Sequence, residues 1–190
     1  MSVNLYDTLK SSYGDKKAKK KIEKQGYIYD KQLSNHNQQV YYNPNDKKLL
    51  YNVAGTHNLS DVGTDLYLGL GLLKSTNRYK EAKNNLEKAK SKYNPTNTTV
   101  TGHSLGGSIS QYIANKNDNV YTLDKGATIG QKTRSNENAF RTNGDVVSLL
   151  NANSTRVKTL SNPNFQTGIV PLDILNSHNV DNIKKSNIIV

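Results

Sequence analysis

Ser104 stands in a pattern that is typical of an enzymatic nucleophile. Gly102 and Gly106 lie two residues before and after it, within the run Val100-Thr101-Gly102-His103-Ser104-Leu105-Gly106-Gly107. A β-favouring run precedes the serine and apolar residues at helical spacing follow it, which predicts a sharp strand-to-helix turn. Such a turn exposes the hydroxyl and brings the flanking residues together, where a Cβ on either would clash. The alternative is a plain turn in which Ser104 only caps the helix.

His178 is the predicted base for this serine. A serine hydroxyl needs a histidine to take its proton, and in α/β-hydrolases the acid and then the histidine follow the serine along the chain. His36 and His57 precede Ser104. His103 lies inside the strand before the turn, with its side chain predicted on the wrong side of that turn. Chain order therefore leaves His178.

Asp145 is the predicted acid that orients the base. It follows Asn143-Gly144 directly after a predicted strand. Asp124, at the end of the preceding predicted strand, is the competing candidate. Asp173 and Asp181 are less well placed. The alternative role for Asp145 is that of a turn or helix-cap aspartate.

Two backbone N–H groups are predicted to stabilise an oxyanion beside Ser104. One belongs to Leu105, the residue after the serine, at the start of the predicted helix. The other belongs to Thr56, which follows Gly55 at the end of an earlier predicted strand and adds a hydroxyl. An ordinary Gly-Thr turn is the alternative.

The remaining pattern predicts an α/β fold with three layers, in which flanking helices cover a mostly parallel central sheet. The 190 residues are read as one domain, with a basic helical lead-in over 1–30, a hydrolase core over 31–182 and a tail over 183–190. The predicted elements are a β-hairpin over 39–54, helices over 59–73 and 77–93, and later strands over 119–123, 138–142 and 155–160. A loop-like tail is predicted from 162 onwards.

Composition limits the chemistry and the partners. The chain has no cysteine, which excludes disulfides, thiolate metal sites and cysteine nucleophiles. The net charge of +11 favours anionic surfaces. The lysine-rich run 16–24 is predicted to be a solvated helix face, with an anionic membrane as the alternative contact, and its lack of aromatic and arginine residues does not favour nucleic acid. No signal peptide or membrane span is predicted, so we expect a cytoplasmic or virion-associated protein.

Together these motifs resemble the class 3 lipases, the fungal-lipase-like branch of the α/β-hydrolases. The resemblance covers about residues 27–182. It rests on Val53-Ala54-Gly55-Thr56, Asp61-Val62, Asp65-Leu66, Gly102-His103-Ser104-Leu105-Gly106-Gly107, Gly144-Asp145-Val146-Val147 and Ser177-His178-Asn179. Two residues depart from the family pattern, because Ala54 replaces an arginine and Val62 replaces a tryptophan.

The resemblance implies hydrolysis of lipid carboxylesters without metal or cofactor. Ser104 would attack the ester, His178 would move its proton, Asp145 would orient His178, and Thr56 and Leu105 would stabilise the oxyanion. The apolar stretch 59–73 would be part of an acyl-binding rim or a plain core helix. The alternative functions are a small-ester esterase or thioesterase on the same fold, and a non-catalytic structural protein of a virus particle.

Overall fold

The computed structural model describes residues 2–57, 73–126, 133–148, 156–162 and 176–190. Within these ranges seven strands form one sheet in chain order, flanked by helices. The strands are β1 (Ile28–Tyr29), β2 (Gln38–Asn43), β3 (Lys48–Val53), β4 (Asn97–His103), β5 (Asn119–Leu123), β6 (Glu137–Thr142) and β7 (Val157–Leu160). The helices are α1 (Leu5–Ser12), α2 (Lys16–Lys24), α3 (Asn77–Tyr93) and α4 (Leu105–Ile113), with 3₁₀ turns at Leu73–Ser75 and Val180–Ile183.

The sheet is antiparallel at one edge and parallel elsewhere. Strands β2 and β3 form the predicted hairpin, in which Tyr41 pairs with Leu50. The Asn43 side chain accepts the N–H groups of Asn45 and Asp46 and so closes the turn. From β3 to β7 every neighbouring pair is parallel, so the carboxyl ends of these strands share one edge. This arrangement confirms the predicted fold class.

Alternation along the strands places hydrophobic clusters on both faces of the sheet. On β3, Tyr51 faces a core formed with α3 and α4, whereas Leu50 faces a core with α2. A third cluster joins Leu9 of α1 to Phe140 of β6 and Val180. The helices therefore cover both faces, which gives the predicted three layers.

A buried polar contact fixes α1 against the centre of the sheet. The Asn52 side chain donates to the Thr8 carbonyl at 3.2 Å and to the Ser11 hydroxyl at 3.1 Å. It also accepts from the Thr101 hydroxyl at 2.9 Å. Because Asn52 is fully buried, its amide is satisfied by protein groups alone. The first helix of the predicted lead-in is thus bound to β3 and β4.

The C-terminal end of the chain packs against the N-terminus. The Val190 N–H donates to the Val3 carbonyl at 2.9 Å, and the Leu5 N–H donates to the Ile188 carbonyl at 2.8 Å. The tail predicted as loop-like also forms the 3₁₀ turn at Val180–Ile183.

Most predicted elements match the structure closely. The helix over 77–93 and the strand over 119–123 have the predicted bounds, and the last strand begins two residues later than predicted. The predicted helix over 59–73 lies outside the described residues, apart from Leu73. The division of the chain into lead-in, core and tail stays a prediction. Among the described residues, no helix is long and apolar enough to cross a membrane.

We predict that Asn52→Ala lowers the free energy of unfolding by about 1–3 kcal/mol, because the buried Thr101 hydroxyl loses its partner and α1 loses two hydrogen bonds to β3. Urea unfolding measures this change. Asn117→Ala, at an exposed position, is the matched control and should change stability by less than about 0.5 kcal/mol. Equal stability of both variants would contradict the importance of this contact.

Candidate active site

Ser104 sits at a strained turn between β4 and α4. Its φ of 57° and ψ of −128° lie in a region that non-glycine residues rarely adopt. A Cβ on Gly102 would lie 2.3 Å from the Gly106 carbonyl oxygen, and a Cβ on Gly106 would lie 2.3 Å from the Val53 carbonyl oxygen. Only glycine permits these approaches. The predicted strand-turn-helix and its close packing are confirmed.

His178 and Asp145 form a buried hydrogen-bonded pair. His178 Nδ1 lies 2.7 Å from Asp145 Oδ1, and both residues are buried. The Ser148 N–H donates to Asp145 Oδ2 at 2.7 Å, and the Arg141 guanidinium donates to the Asp145 carbonyl at 3.0 Å. The carboxylate therefore has a fixed orientation toward the imidazole.

Ser104 and His178 line the same cavity, which has a volume of about 130 Å³. Within the described part of the chain, Ser104 Oγ and His178 Nε2 are buried and have no hydrogen-bond partner. Since Nδ1 of His178 is occupied by Asp145, its free nitrogen is the one available for proton transfer. The cavity lining thus includes an unpartnered hydroxyl and, with the Nε2 of His103, two unpartnered imidazole nitrogens among the described residues.

Thr56 and Leu105 lie near Ser104, and their role as oxyanion donors stays a prediction. Thr56 lines the same cavity. Leu105 is the first residue of α4, where backbone N–H groups have no partner within the helix. The two residues come from different strand ends, which the parallel pairing of β3 and β4 brings together.

Tyr13 was not found from the sequence, although it lines this cavity. Its hydroxyl accepts from the Gly55 N–H at 2.9 Å and lies 2.7 Å from His103 Nδ1. Burial raises the pKa of Tyr13 to about 12. Nothing in the sequence of the basic lead-in indicated this role, because the approach depends on how α1 docks on the sheet.

The predicted placement of His103 was wrong. Its ring lies 4.6 Å from the His178 ring, between centroids, and it lines the cavity with Ser104. Burial, and then the nearby His178, lowers the pKa of His103 well below its ordinary value. The neutral ring can accept a hydrogen bond from the Tyr13 hydroxyl at Nδ1. Its position at the carboxyl end of a central parallel strand was the signal for this placement.

Asp124, the competing acid, has a different set of partners. It is fully buried and has a φ of 46°. Its carboxyl group contacts the backbone N–H and the hydroxyl of Thr142. The Thr142 hydroxyl, which has a single hydrogen, contacts both Asp124 Oδ2 and the Ser177 carbonyl, the latter at 2.9 Å. When that hydrogen goes to the carbonyl, a proton on Asp124 completes the contact between the carboxyl group and the hydroxyl.

The electrostatics of Asp124 agree with this protonation. Burial, together with the nearby charge of Asp145, raises the pKa of Asp124 to about 7. One ligand atom from each of His103, Asp124 and His178 lies within 4.8 Å of the others, a donor set that could hold a divalent cation. Since the carboxyl group of Asp124 is hydrogen-bonded to Thr142, we assign no metal to this donor set. That the reaction needs no metal stays a prediction.

We predict that the stability of Asp124→Asn, relative to that of the parent, increases as the pH rises. The folded state holds the Asp124 proton up to about pH 7, whereas the unfolded state loses it near the ordinary pKa of 3.8. Stability from the neutral carboxyl is therefore lost between about pH 4 and pH 7, and asparagine, which is always neutral, avoids that loss. Urea unfolding at pH 5 and pH 8 measures the difference.

Glu87→Gln is the matched control, because Glu87 is exposed on α3. Its stability difference from the parent should show little dependence on pH. A gap between Asp124→Asn and the parent that shrinks toward pH 8 would show that the carboxyl is ionised in the folded protein.

Comparison with known protein families gives a match over residues 30–152 to the family described as Lipase (class 3). No curated protein matches the chain in sequence. The family match includes the serine turn and the residues around Thr56 and Asp145.

Several solved lipases resemble the structure. The native Rhizomucor miehei lipase propeptide complex has a TM-score of 0.53 at 15% identity, covering 76% of this chain and 61% of that one. A triacylglycerol lipase whose catalytic centre is described as a serine protease triad has a TM-score of 0.50 at 14% identity, covering 76% and 72%. Lip2 from Yarrowia lipolytica has a TM-score of 0.41 at 19% identity, covering 72% and 64%. The chain thus spans less than two thirds of the length of the Rhizomucor miehei lipase in its propeptide complex and of Yarrowia Lip2.

Proposed function

The chain belongs to the class 3 lipase family, and from this premise we propose that it is a serine hydrolase that cleaves carboxylesters of lipids. The observation that carries the proposal is the His178–Asp145 hydrogen bond of 2.7 Å, which leaves His178 Nε2 without a partner in the cavity that also holds the unpartnered Ser104 hydroxyl. A nucleophile, a base and an orienting carboxylate are the parts that acyl transfer by serine requires.

In the proposed reaction, Ser104 Oγ attacks the ester carbonyl carbon while His178 Nε2 takes the hydroxyl proton. The tetrahedral intermediate then collapses, and His178 returns that proton to the leaving alcohol. Water, activated by the same imidazole, attacks the acyl-enzyme and releases the carboxylic acid. Asp145 holds the proton on His178 Nδ1 and stabilises the imidazolium that forms.

We assign the stabilisation of the negative charge that develops on the ester oxygen to the N–H groups of Leu105 and Thr56. Leu105 begins α4, whose N-terminal end carries a partial positive charge. Thr56 lines the cavity beside Ser104. Donors that are fixed before the reaction stabilise an oxyanion more strongly than water does.

Asp145 is favoured over Asp124 as the catalytic acid. Asp145 contacts His178 directly, whereas Asp124 contacts Thr142. Ionising two neighbouring carboxyl groups beside one imidazole costs free energy because the two negative charges repel each other. Burial also raises the pKa of Asp124. A neutral Asp124 leaves the negative charge on the residue that orients the base.

We predict that Ser104→Ala abolishes labelling by a fluorophosphonate probe and lowers kcat by about 10⁴-fold or more, because the nucleophile is lost. Asp145→Asn should lower kcat by about 10⁴-fold, since the imidazole would adopt the wrong tautomer. Hydrolysis of p-nitrophenyl esters of increasing acyl length measures both effects. A preference for long chains supports a lipase, and a preference for acetate supports a small-ester esterase.

Asp124→Asn is the matched control for the acid, because it neutralises the other buried aspartate near His178. It should retain most of the parent kcat at pH 6, where the Asp124 carboxyl group of the parent is neutral. If it loses as much activity as Asp145→Asn, the assignment of the acid is overturned. A parent protein without labelling or hydrolysis would favour the non-catalytic alternative.

We also propose that an anionic membrane surface is the partner that presents the substrate. The helix α2 exposes Lys16, Lys17, Lys20 and Lys24, and the neighbouring Ile28 is 62% exposed. Exposed lysines beside an exposed apolar side chain suit a surface of anionic headgroups. The helix begins three residues after Tyr13, which lines the cavity, so the Cα of Lys16 lies within about 11 Å of the Cα of that tyrosine.

We predict that a Lys17→Glu, Lys20→Glu and Lys24→Glu triple variant binds vesicles of phosphatidylserine and phosphatidylcholine at least about tenfold more weakly, because each lysine near the surface contributes about 1 kcal/mol. Vesicle co-sedimentation measures the binding, which should also weaken as salt rises.

The matched control reverses three exposed lysines on α3, Lys80, Lys83 and Lys88, and changes the net charge equally. This control should bind more tightly than the α2 variant. Equal loss in both triple variants would indicate a general charge effect, and binding to pure phosphatidylcholine without salt dependence would contradict the electrostatic contact.

A further inference from the structure

The loop before Thr56 is held by an arginine from a different part of the chain. Arg78 Nη2 donates to the Ala54 carbonyl at 2.7 Å and to the Gly55 carbonyl at 3.3 Å. Arg78 is the second residue of α3, more than twenty residues after the loop. Ala54 is the position at which this chain lacks the arginine of the family motif. In its place, the guanidinium of Arg78 reaches the same loop from α3.

The geometry of the peptide group gives this contact a chemical consequence. The described residues contain no cis peptide, and in a trans peptide the C=O and the N–H point in opposite directions. The Gly55 carbonyl and the Thr56 N–H belong to one peptide group. When Arg78 binds that carbonyl, the Thr56 N–H must point away from Arg78.

A second anchor fixes the preceding peptide group. The Ala54 carbonyl and the Gly55 N–H belong to one peptide; Arg78 binds the carbonyl and the Tyr13 hydroxyl accepts the N–H at 2.9 Å. The Tyr13 hydroxyl also contacts His103, the residue before Ser104. The loop is thereby tied to α3 on one side and to the serine turn on the other.

We infer that Arg78 is a positioning residue for the oxyanion hole, which aims the Thr56 N–H at the ester oxygen by binding the carbonyls of Ala54 and Gly55. The inference rests on the proposed function. Arg78 itself does not line the cavity, so it acts through the peptide groups. The planar guanidinium contacts both carbonyls, whereas the compact ammonium of a lysine is not a geometric substitute.

The test compares the parent with Arg78→Gln and Arg78→Lys in p-nitrophenyl ester hydrolysis. Loss of a whole oxyanion donor lowers kcat by about 10²–10³-fold. A misdirected donor should cost part of that, so Arg78→Gln should lower kcat by roughly 10- to 100-fold, with KM changed less than about threefold. Arg78→Lys should fall between the parent and Arg78→Gln.

Arg134 offers a matched control elsewhere in the chain. One of its nitrogens, Nη1, likewise donates to two backbone carbonyls, those of Gln111 at 2.6 Å and Ala114 at 2.7 Å. These carbonyls lie at the end of α4 away from the cavity lining. Arg134→Gln should lower the melting temperature but leave kcat within about twofold of the parent.

Three outcomes separate the possibilities. If kcat of Arg78→Gln stays within twofold of the parent at a temperature where both are folded, Arg78 is only structural and the inference is overturned. If the parent neither hydrolyses esters nor reacts with the fluorophosphonate probe, the proposed function fails and the inference fails with it. If Arg78→Gln does not fold, Arg78→Lys is measured instead, since this variant retains the charge. A kcat of Arg78→Lys within twofold of the parent then overturns the inference, and a lower kcat supports it.

Discussion

The close backbone packing at Gly102 and Gly106 is the constraint on which the site depends. Gly106 lies against the carbonyl groups of Val53 and Ala54, at the end of β3, and Gly102 lies against Gly106. These approaches bring the start of α4 next to the loop that leads to Thr56. A methyl group at either glycine would separate the two segments, so the distance between the serine and its predicted oxyanion donors is set by the absence of side chains.

Two buried carboxyl groups, those of Asp145 and Asp124, lie near the imidazole of His178. Asp145 accepts from the Ser148 N–H and contacts His178, an environment suited to a charged carboxylate. The Asp124 carboxyl group is hydrogen-bonded to Thr142, and burial raises its pKa. Environments that separate the protonation states of neighbouring carboxyl groups let one hold a charge while the other stays neutral. The fold thus distinguishes two aspartates that occupy similar strand ends.

The N-terminal helices belong to the site as well as to the surface. Contacts of Asn52 bind α1 to the central strands, and this docking carries Tyr13 to Gly55 and His103. The next helix leaves its lysines exposed. One segment therefore supports the loop before Thr56 on its inner side and presents positive charge on its outer side.

The sequence by itself determined the order of strands and helices, the glycine-flanked serine turn and the candidate set Ser104, Asp145 and His178. Local spacing carries that information, because strand and helix periods and a tight turn depend on neighbouring residues. The approach of His103, Tyr13 and Arg78 to the site was decided only by the tertiary structure. Each lies on a different element, and their positions depend on helix docking against the sheet, which no local pattern records. The same packing places Asp145 in hydrogen-bond contact with the imidazole and Asp124 against Thr142, a difference that only three-dimensional contacts show.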